Sequence, residues 1–527
     1  MNSYCKRFFL IVFFISAFCY FNWASISDTS LQVVDSNAVY IYKIKDLDNF
    51  GFYKYKYIDT SIVEFQFNDP AYKESYFYTS LGNIGTMERK LFFEVPDLSF
   101  FTAGNHYVNL YSFNPDNVDN YVCKRPFTEL YYSMGSRREQ IFKIAQSLPL
   151  KKNFYIGANY LIVNSNGREL FRQKSANDYL SINSKYFTKN KKYLLHIFYI
   201  CNKIKFQENG GITNDSIFEN RTDKKENPPY YLNSAETRYK ETYLAVSQYF
   251  NYTNKILFSE IDSSFSMIER NKINIKHDFT YKRSFRVYED NQPFSGYYPN
   301  VFYNTEQTFD SSFFSSLNNS LKISSTFIKI DSINDLFKIN LIVSHQFTKW
   351  HTQTVDTIFN SFQPECNLQF SPLSTLLFKV NYKFQVGGYN NKGYQVDFSS
   401  IKILKEKNLL EFNVKLLTQE PAWIYNYYNS NNFIWDYHYL KQKFTNASLS
   451  YTSLKTNFGI SLTNIKRMVY FDVLARPKQL NISTNILSIW LYSKFYYKNI
   501  IFANKILFNY AYHVDVLRYP LLQDIVE

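Results

Sequence analysis

Residues 124–175 read KRPFTELYYSMGSRREQIFKIAQSLPLKKNFYIGANYLIVNSNGRELFRQKS, and the second half of this stretch decides the fold class. Side chains alternate across an extended chain. Phe154, Ile156, Ala158, Tyr160 and Ile162 therefore share one face, while Tyr155, Gly157 and Asn159 share the other. Asn164, Ser165, Asn166 and Gly167 follow. An Asn-Gly pair tolerates the positive φ that a tight hairpin loop demands, so a returning strand is expected from Glu169 to Gln173.

The same unit of strand, polar turn and strand recurs to the end of the chain. Leu376, Phe378, Val380, Tyr382, Phe384 and Val386 oppose Lys379, Asn381, Lys383 and Gln385, and the glycine-rich run 387–393 then turns the chain. Leu410, Phe412, Val414 and Leu416 oppose Glu411, Asn413 and Lys415. Late in the chain Ile506, Phe508, Tyr510 and Tyr512 oppose Lys505, Asn509 and His513. Strands of about ten residues, apolar outward and polar inward, are what a tilted barrel needs to cross a hydrocarbon band about 25 Å tall.

Composition agrees. Aromatics make up 20% of the 527 residues, with 48 Tyr and 51 Phe, and these are residues that favour a half-buried pleated surface. At the N-terminus Lys6 and Arg7 precede an apolar run from Phe8 to Phe21, the pattern of a secretory signal peptide, with cleavage expected before Asp28. After it no apolar run is long enough for a spanning helix. Cys123, Cys201 and Cys366 are odd in number and widely spaced, so neither a zinc site nor a disulfide scaffold is indicated. The formal charge of +14 would suit nucleic acid, but export argues against it, and the lysines are scattered through alternating strands.

Several pieces together resemble a known family. The run YIYKIKDLDNFGFYKYKYIDTSIVEFQFNDP (40–70), SYFYTSLGNIGT (75–86), PFTELYYSMGSRREQ (126–140) and NFYIGANYLIVNSNGRELFRQ (153–173) resemble the N-terminal third of the putative porin family of Gram-negative, Bacteroidota-type outer membranes. Asn209-Gly210-Gly211-Ile212 and ANKILFNYAYHVDVLRYP (503–520) resemble further pieces of it. The resemblance implies a barrel in the cell outer membrane with a pore function. Ala145-Gln146-Ser147 stands where the family carries a His-Ser pair, so no role is transferred there. The chain also ends on QDIVE without the terminal aromatic usual in such barrels, so a C-terminally shortened barrel lacking its last strands is expected.

The reading is then an all-β protein, a transmembrane antiparallel β-barrel of roughly 14–16 strands. Residues 1–27 are the signal peptide, 28–122 an N-terminal β-rich segment (early barrel strands or a periplasmic part), and 123–527 the barrel. Gly82 and Gly85 read as a turn between strands, not as a nucleotide loop, because the third glycine and the helix pattern are missing. No HExxH, GxSxG or Walker pattern occurs, so no catalytic, cofactor-binding or metal-ligating residue is assigned and no enzyme is expected. The expected function is a passive diffusion channel for small hydrophilic solutes. Lys379, Lys383 and Lys415 are the candidate lumen residues with Glu411 as counter-charge, which would give a mild anion preference. The alternative is a non-conducting barrel, its lumen plugged, with a structural or surface-binding role. Expected partners are outer-membrane lipid, small solutes or ions and the barrel-assembly machinery; homo-oligomerisation is left open.

Overall fold

The structure, a computed structural model, describes residues 39–46, 56–58, 78–104, 110–167, 172–190, 192–214, 216, 219, 229–261, 264–329, 335–373, 375–404, 408–453, 455–497, 500–512 and 522–526. The expected signal peptide and much of the run 40–70 lie outside them. Among the described residues no helix is long and apolar enough to cross a membrane.

The fold is a closed antiparallel barrel of 18 strands, in chain order around the ring. They are β1 (Phe127–Met134), β2 (Gln140–Lys151), β3 (Phe154–Ser165), β4 (Ser175–Phe187), β5 (Tyr193–Gln207) and β6 (Glu236–Ile261). Next come β7 (Ser264–Asp290), β8 (Thr308–Lys329), β9 (Asp335–Thr352), β10 (Asp356–Leu373), and β11, which breaks at Gln385 into Leu376–Phe384 and Val386–Gly387. The rest are β12 (Tyr394–Ile403), β13 (Leu409–Gln419), β14 (Gln442–Thr452), β15 (Thr456–Lys466), β16 (Thr484–Tyr497), β17 (Ile500–Tyr512) and β18 (Leu522–Val526).

Two expectations need correction. The strand number exceeds the 14–16 expected, because short strands such as β1 and β18 carry too few alternating residues to be read. The ring is closed: β18 pairs antiparallel with Asn504–Phe508 of β17 and is followed in the ring by β1. Of the returning strand expected from Glu169 to Gln173, residues 169–171 lie outside the described residues; Arg172 takes a positive φ, and β4 runs from Ser175.

Alternation sets the two faces of the wall. On β5, His196, Phe198, Ile200, Asn202, Ile204 and Phe206 are buried, whereas Ile197 and Tyr199 between them are exposed. The exposed set continues around the ring through Leu321, Leu341, Val343, Phe362, Phe412 and Leu462. So continuous an exposed apolar surface belongs against hydrocarbon. The connections differ by end. Those leaving even-numbered strands are short, such as 152–153, 188–192 and 453–455; those leaving odd-numbered strands include 208–235, 291–307, 420–441 and 467–483. Short turns mark the periplasmic end of an outer-membrane barrel and long loops the outer end.

The described residues of 39–123 contribute no strand to the barrel sheet. Their strands are two or three residues long and lie outside the barrel sheet, as in the small sheet of Tyr40–Tyr42, Lys56–Tyr57 and Asn120–Val122. They pack on the inward faces of the wall. Tyr42, Ile44 and Val118 share a core with Leu194, Phe198, Ile200, Ala245 and Tyr249, and Leu98 shares another with Leu417, Phe444, Ile465 and Ile486. These contacts join residues far apart in sequence, which local periodicity does not announce.

Candidate functional site

The lumen is filled by a plug, and the plug's backbone explains how. A chain without long ladders leaves peptide N–H and C=O groups that need partners wherever water is displaced. Here the wall supplies them from side-chain amides on its inward face. Asn202 on β5 clamps Phe113 from both sides, its Nδ2 donating to the Phe113 carbonyl at 2.8 Å while its Oδ1 accepts from the Phe113 N–H at 3.2 Å. Asn159 on β3 donates to the Asp119 carbonyl at 3.0 Å, and Asn177 on β4 to the Gly85 carbonyl at 2.6 Å. Asn509 on β17 donates to the Leu91 carbonyl at 3.1 Å. The plug is therefore tied to wall strands on both sides of the ring closure.

Close approach explains one glycine. Gly85 has φ +76°, and a Cβ there would meet Nδ2 of Asn177 at 2.6 Å. The Gly82–Gly85 turn expected from sequence is thus a contact of plug with wall.

The plug's apex, residues 95–104, is held more elaborately. Gln395 on β12 accepts the Leu98 N–H at 2.7 Å and donates to Asp97 Oδ1 at 3.0 Å. Lys415 on β13 donates to the same Oδ1 at 2.6 Å and to the Val95 carbonyl at 3.1 Å. Burial alone would push the Asp97 carboxyl up, but the hydrogen bond and charge of Lys415, with Gln395 and the more distant Lys383, hold it below its ordinary value. Asn390, in the turn after β11, donates to the Ser99 carbonyl at 2.6 Å. Beyond these polar ties Phe101 enters a ring of aromatics. Phe314, Trp350, Phe359, Tyr389 and Trp423 all lie with centroids 5.5–5.9 Å from it.

The outer loop 420–441 closes over this apex. Backbone N–H groups of Trp423 and Ile424 donate to the carbonyls of Thr102 and Ala103 at 2.8 and 3.2 Å. Its far side is pinned by Asn431, which reaches the loop 291–307 and the start of β8 through Asn304, Thr308 and Asp310. Plug, wall and outer loop thus form one hydrogen-bonded stack at the outer mouth.

The four residues singled out from sequence fall on one face of the wall, opposite exposed Tyr382, Leu410, Phe412 and Leu416. Lys415 is tied to the plug as above. Lys383 forms an ion pair with Glu365 of β10 at 3.6 Å. Glu411 is half-buried, cross-strand from Ile401 and Ser450, and Lys379 is exposed, cross-strand from Gln369 and Ser399. The structure brings Lys383 and Lys415 together around Asp97 but does not gather the four into one cluster. Two of the three lysines, Lys383 and Lys415, have carboxylate partners.

Sequence reading missed Asp97, Phe101, Asn390, Gln395 and Trp423. The available signal is the recurrence of Asn and Gln on inward strand positions. Their job is to bond a second chain segment. Cys123, Cys201 and Cys366 are free, and no group of side chains suited to a metal ion occurs among the described residues.

Comparison with known proteins agrees with this architecture. Residues 39–523 match the family described as "Putative porin", so the match takes in both plug and wall. No curated protein matches the chain. Among solved structures, the siderophore receptor PirA from Pseudomonas aeruginosa superposes with a TM-score of 0.50 at 7% identity, over 75% of this chain and 69% of that one. The copper transporter OprC gives 0.52 at 8%, over 73% and 60%, and PirA from Acinetobacter baumannii 0.51 at 8%, over 75% and 64%. At such identities the likeness speaks for fold alone. The chain belongs to the putative porin family, and it is a β-barrel of the cell outer membrane.

Proposed function

We propose that this protein is a pore for small hydrophilic solutes whose path is shut at rest by its own N-terminal segment. The observation that supports this reading is the strapping of plug backbone by wall amides, with Asn390 and Gln395 holding the apex at the outer mouth. Passage requires that these bonds let go and a polar route open between plug and wall. The family description supports the pore, and the filled lumen supports the closed resting state. No reaction is needed: the barrel satisfies its own backbone in lipid, and the inward polar face carries the solute once the plug moves. Lipid covers the outer apolar belt, and the assembly machinery inserts the wall.

The test is planar-bilayer conductance of the full chain and of the double variant Asn390→Leu with Gln395→Leu. The wild type should insert without long-lived open steps, and the double variant should show them. A wild type that conducts steadily from the outset would return the protein to an open, passive channel. A variant that folds yet stays silent would favour the non-conducting structural barrel.

A further inference from the structure

We propose that the chamber between the plug apex and the outer wall is a binding site for a small carboxylate-bearing solute, gripped at Arg286. The chamber has a volume of about 240 Å³ and is walled by Phe101, Ala103, Ser312, Phe314 and Trp350, with Arg286 projecting from β7. A smaller space of about 30 Å³ adjoins it, sharing Arg286 and Trp350 and reaching Trp423.

Three donors lining these spaces are buried without an acceptor: Nε of Arg286, Nε1 of Trp350 and Nε1 of Trp423. No acceptor among the lining residues is orphaned in the same way. The shortage is therefore one-sided, and its complement is a ligand that brings acceptors.

Charge narrows the class. Among the described residues no carboxylate forms an ion pair with Arg286, whose neighbours are the Tyr239 ring, 5.7 Å from Cζ, and the Tyr428 hydroxyl. The carboxylates at hand already have partners, the Glu241–Lys282 pair within the lining of the chamber and Asp310 within that of the smaller space. Glu241 pairs with Lys282 at 3.0 Å, Asp310 accepts the Asn431 N–H at 2.7 Å, and Glu208 accepts from Thr237 at 2.9 Å. A guanidinium sequestered without a carboxylate is costly, and a carboxylate meeting it forms a strong charge-assisted hydrogen bond. Phe101, Phe314 and Trp350 offer apolar faces to the rest of the ligand. The volume is below the roughly 300–1,000 Å³ of a drug-sized pocket, so the body is about one ring in size.

This inference rests on the closed-lumen reading, since Phe101 and Ala103 of the plug form part of the chamber. Its test uses the full chain refolded in detergent micelles, with tryptophan emission titrated by benzoate and, separately, by neutral benzamide. Benzoate should change the emission saturably. Benzamide should bind weaker by about ten-fold or more, the effect of losing one charge-assisted bond. Arg286→Met should weaken benzoate by about the same factor while the folded, heat-modifiable band persists on gels. Equal binding of benzamide, unchanged benzoate binding in the variant, or no saturable signal in the wild type would each overturn the site. Should Arg286→Met fail to fold, the ratio of benzoate to benzamide on the wild type decides alone. Loss of the benzoate signal in a chain that stays closed in bilayers removes this site and leaves the closed-lumen reading standing.

Discussion

The wall and the plug are one chain organised by two different rules. In the wall, order is local and periodic: Leu410, Phe412 and Leu416 face out because each is two or four residues from the next, and each ladder bond follows from its neighbour. In the plug, order is borrowed. Phe113, Gly85, Leu91 and Ser99 have peptide groups satisfied by Asn or Gln side chains that lie about 90 to 420 residues away in sequence. A membrane protein can include so irregular a segment only where other protein surrounds it. The comparison teaches that polar inward residues on a barrel strand have two readings, a wet lining or a socket for backbone, and that amides rather than charges mark the socket here.

The largest expected effect breaks the wall and leaves the plug's contacts alone. Val343, midway along β9, is 54% exposed and lies beside Leu321 of β8 on the lipid face. Val343→Lys should cost about 2–4 kcal/mol of barrel stability in lipid, as a lysine near the bilayer midplane does. Urea unfolding from liposomes, read by the heat-modifiable gel shift, measures it; a cost near zero would mean that this face does not meet hydrocarbon. The second effect breaks the plug and spares the wall. Phe101→Ala empties the centre of five aromatic rings and should destabilise the seated apex by about 3 kcal/mol, the lower end for cutting a packed Phe to Ala. Hydrogen exchange should then quicken in residues 95–104 while protection of β8 to β13 is unchanged. Equal quickening in both regions would show that plug and wall form one cooperative unit.

How far the sequence could be read follows the same divide. The lipid-facing set on β3, β11 and β13 was legible residue by residue, because period 2 survives any ignorance of partners. The turn at 387–393 was legible too, since Gly387 and Gly388 take the positive φ that their type suggested. Strand number was less so: β18 is five residues long, and β11 is broken by Gln385, whose buried amide turns to the plug's Phe100 carbonyl. The apex was not legible at all. Nothing within twenty residues of Asp97 marks Lys415 as its partner, and nothing near Phe101 announces Trp350 or Trp423. Those contacts exist only after the ring closes, so their signal is distributed over the whole chain.

The smallest expected effect sharpens the comparison through pH. Asp97 is the plug's charged tie to the wall, and its carboxyl lies below the ordinary value of 3.8, because Lys415, Gln395 and Lys383 more than offset its burial. The seated plug is therefore stabilised at every pH above that ordinary value. The contribution fades as pH falls through the lowered one, where Asp97 takes up its proton and Lys415 loses its partner. Asp97 remains largely reached by solvent, so the tie contributes at most about 1 kcal/mol. The protection factors of residues 95–104, corrected for intrinsic rates, should accordingly fall as pH drops below that ordinary value, by about five-fold at most for that energy. Asp97→Asn should show the faster exchange, after correction for intrinsic rates, already at pH 5 and lose the pH step. If Asp97→Asn keeps the full step, the acid sensitivity arises elsewhere in the plug, and the apex is held by its amide straps and aromatic ring without help from charge.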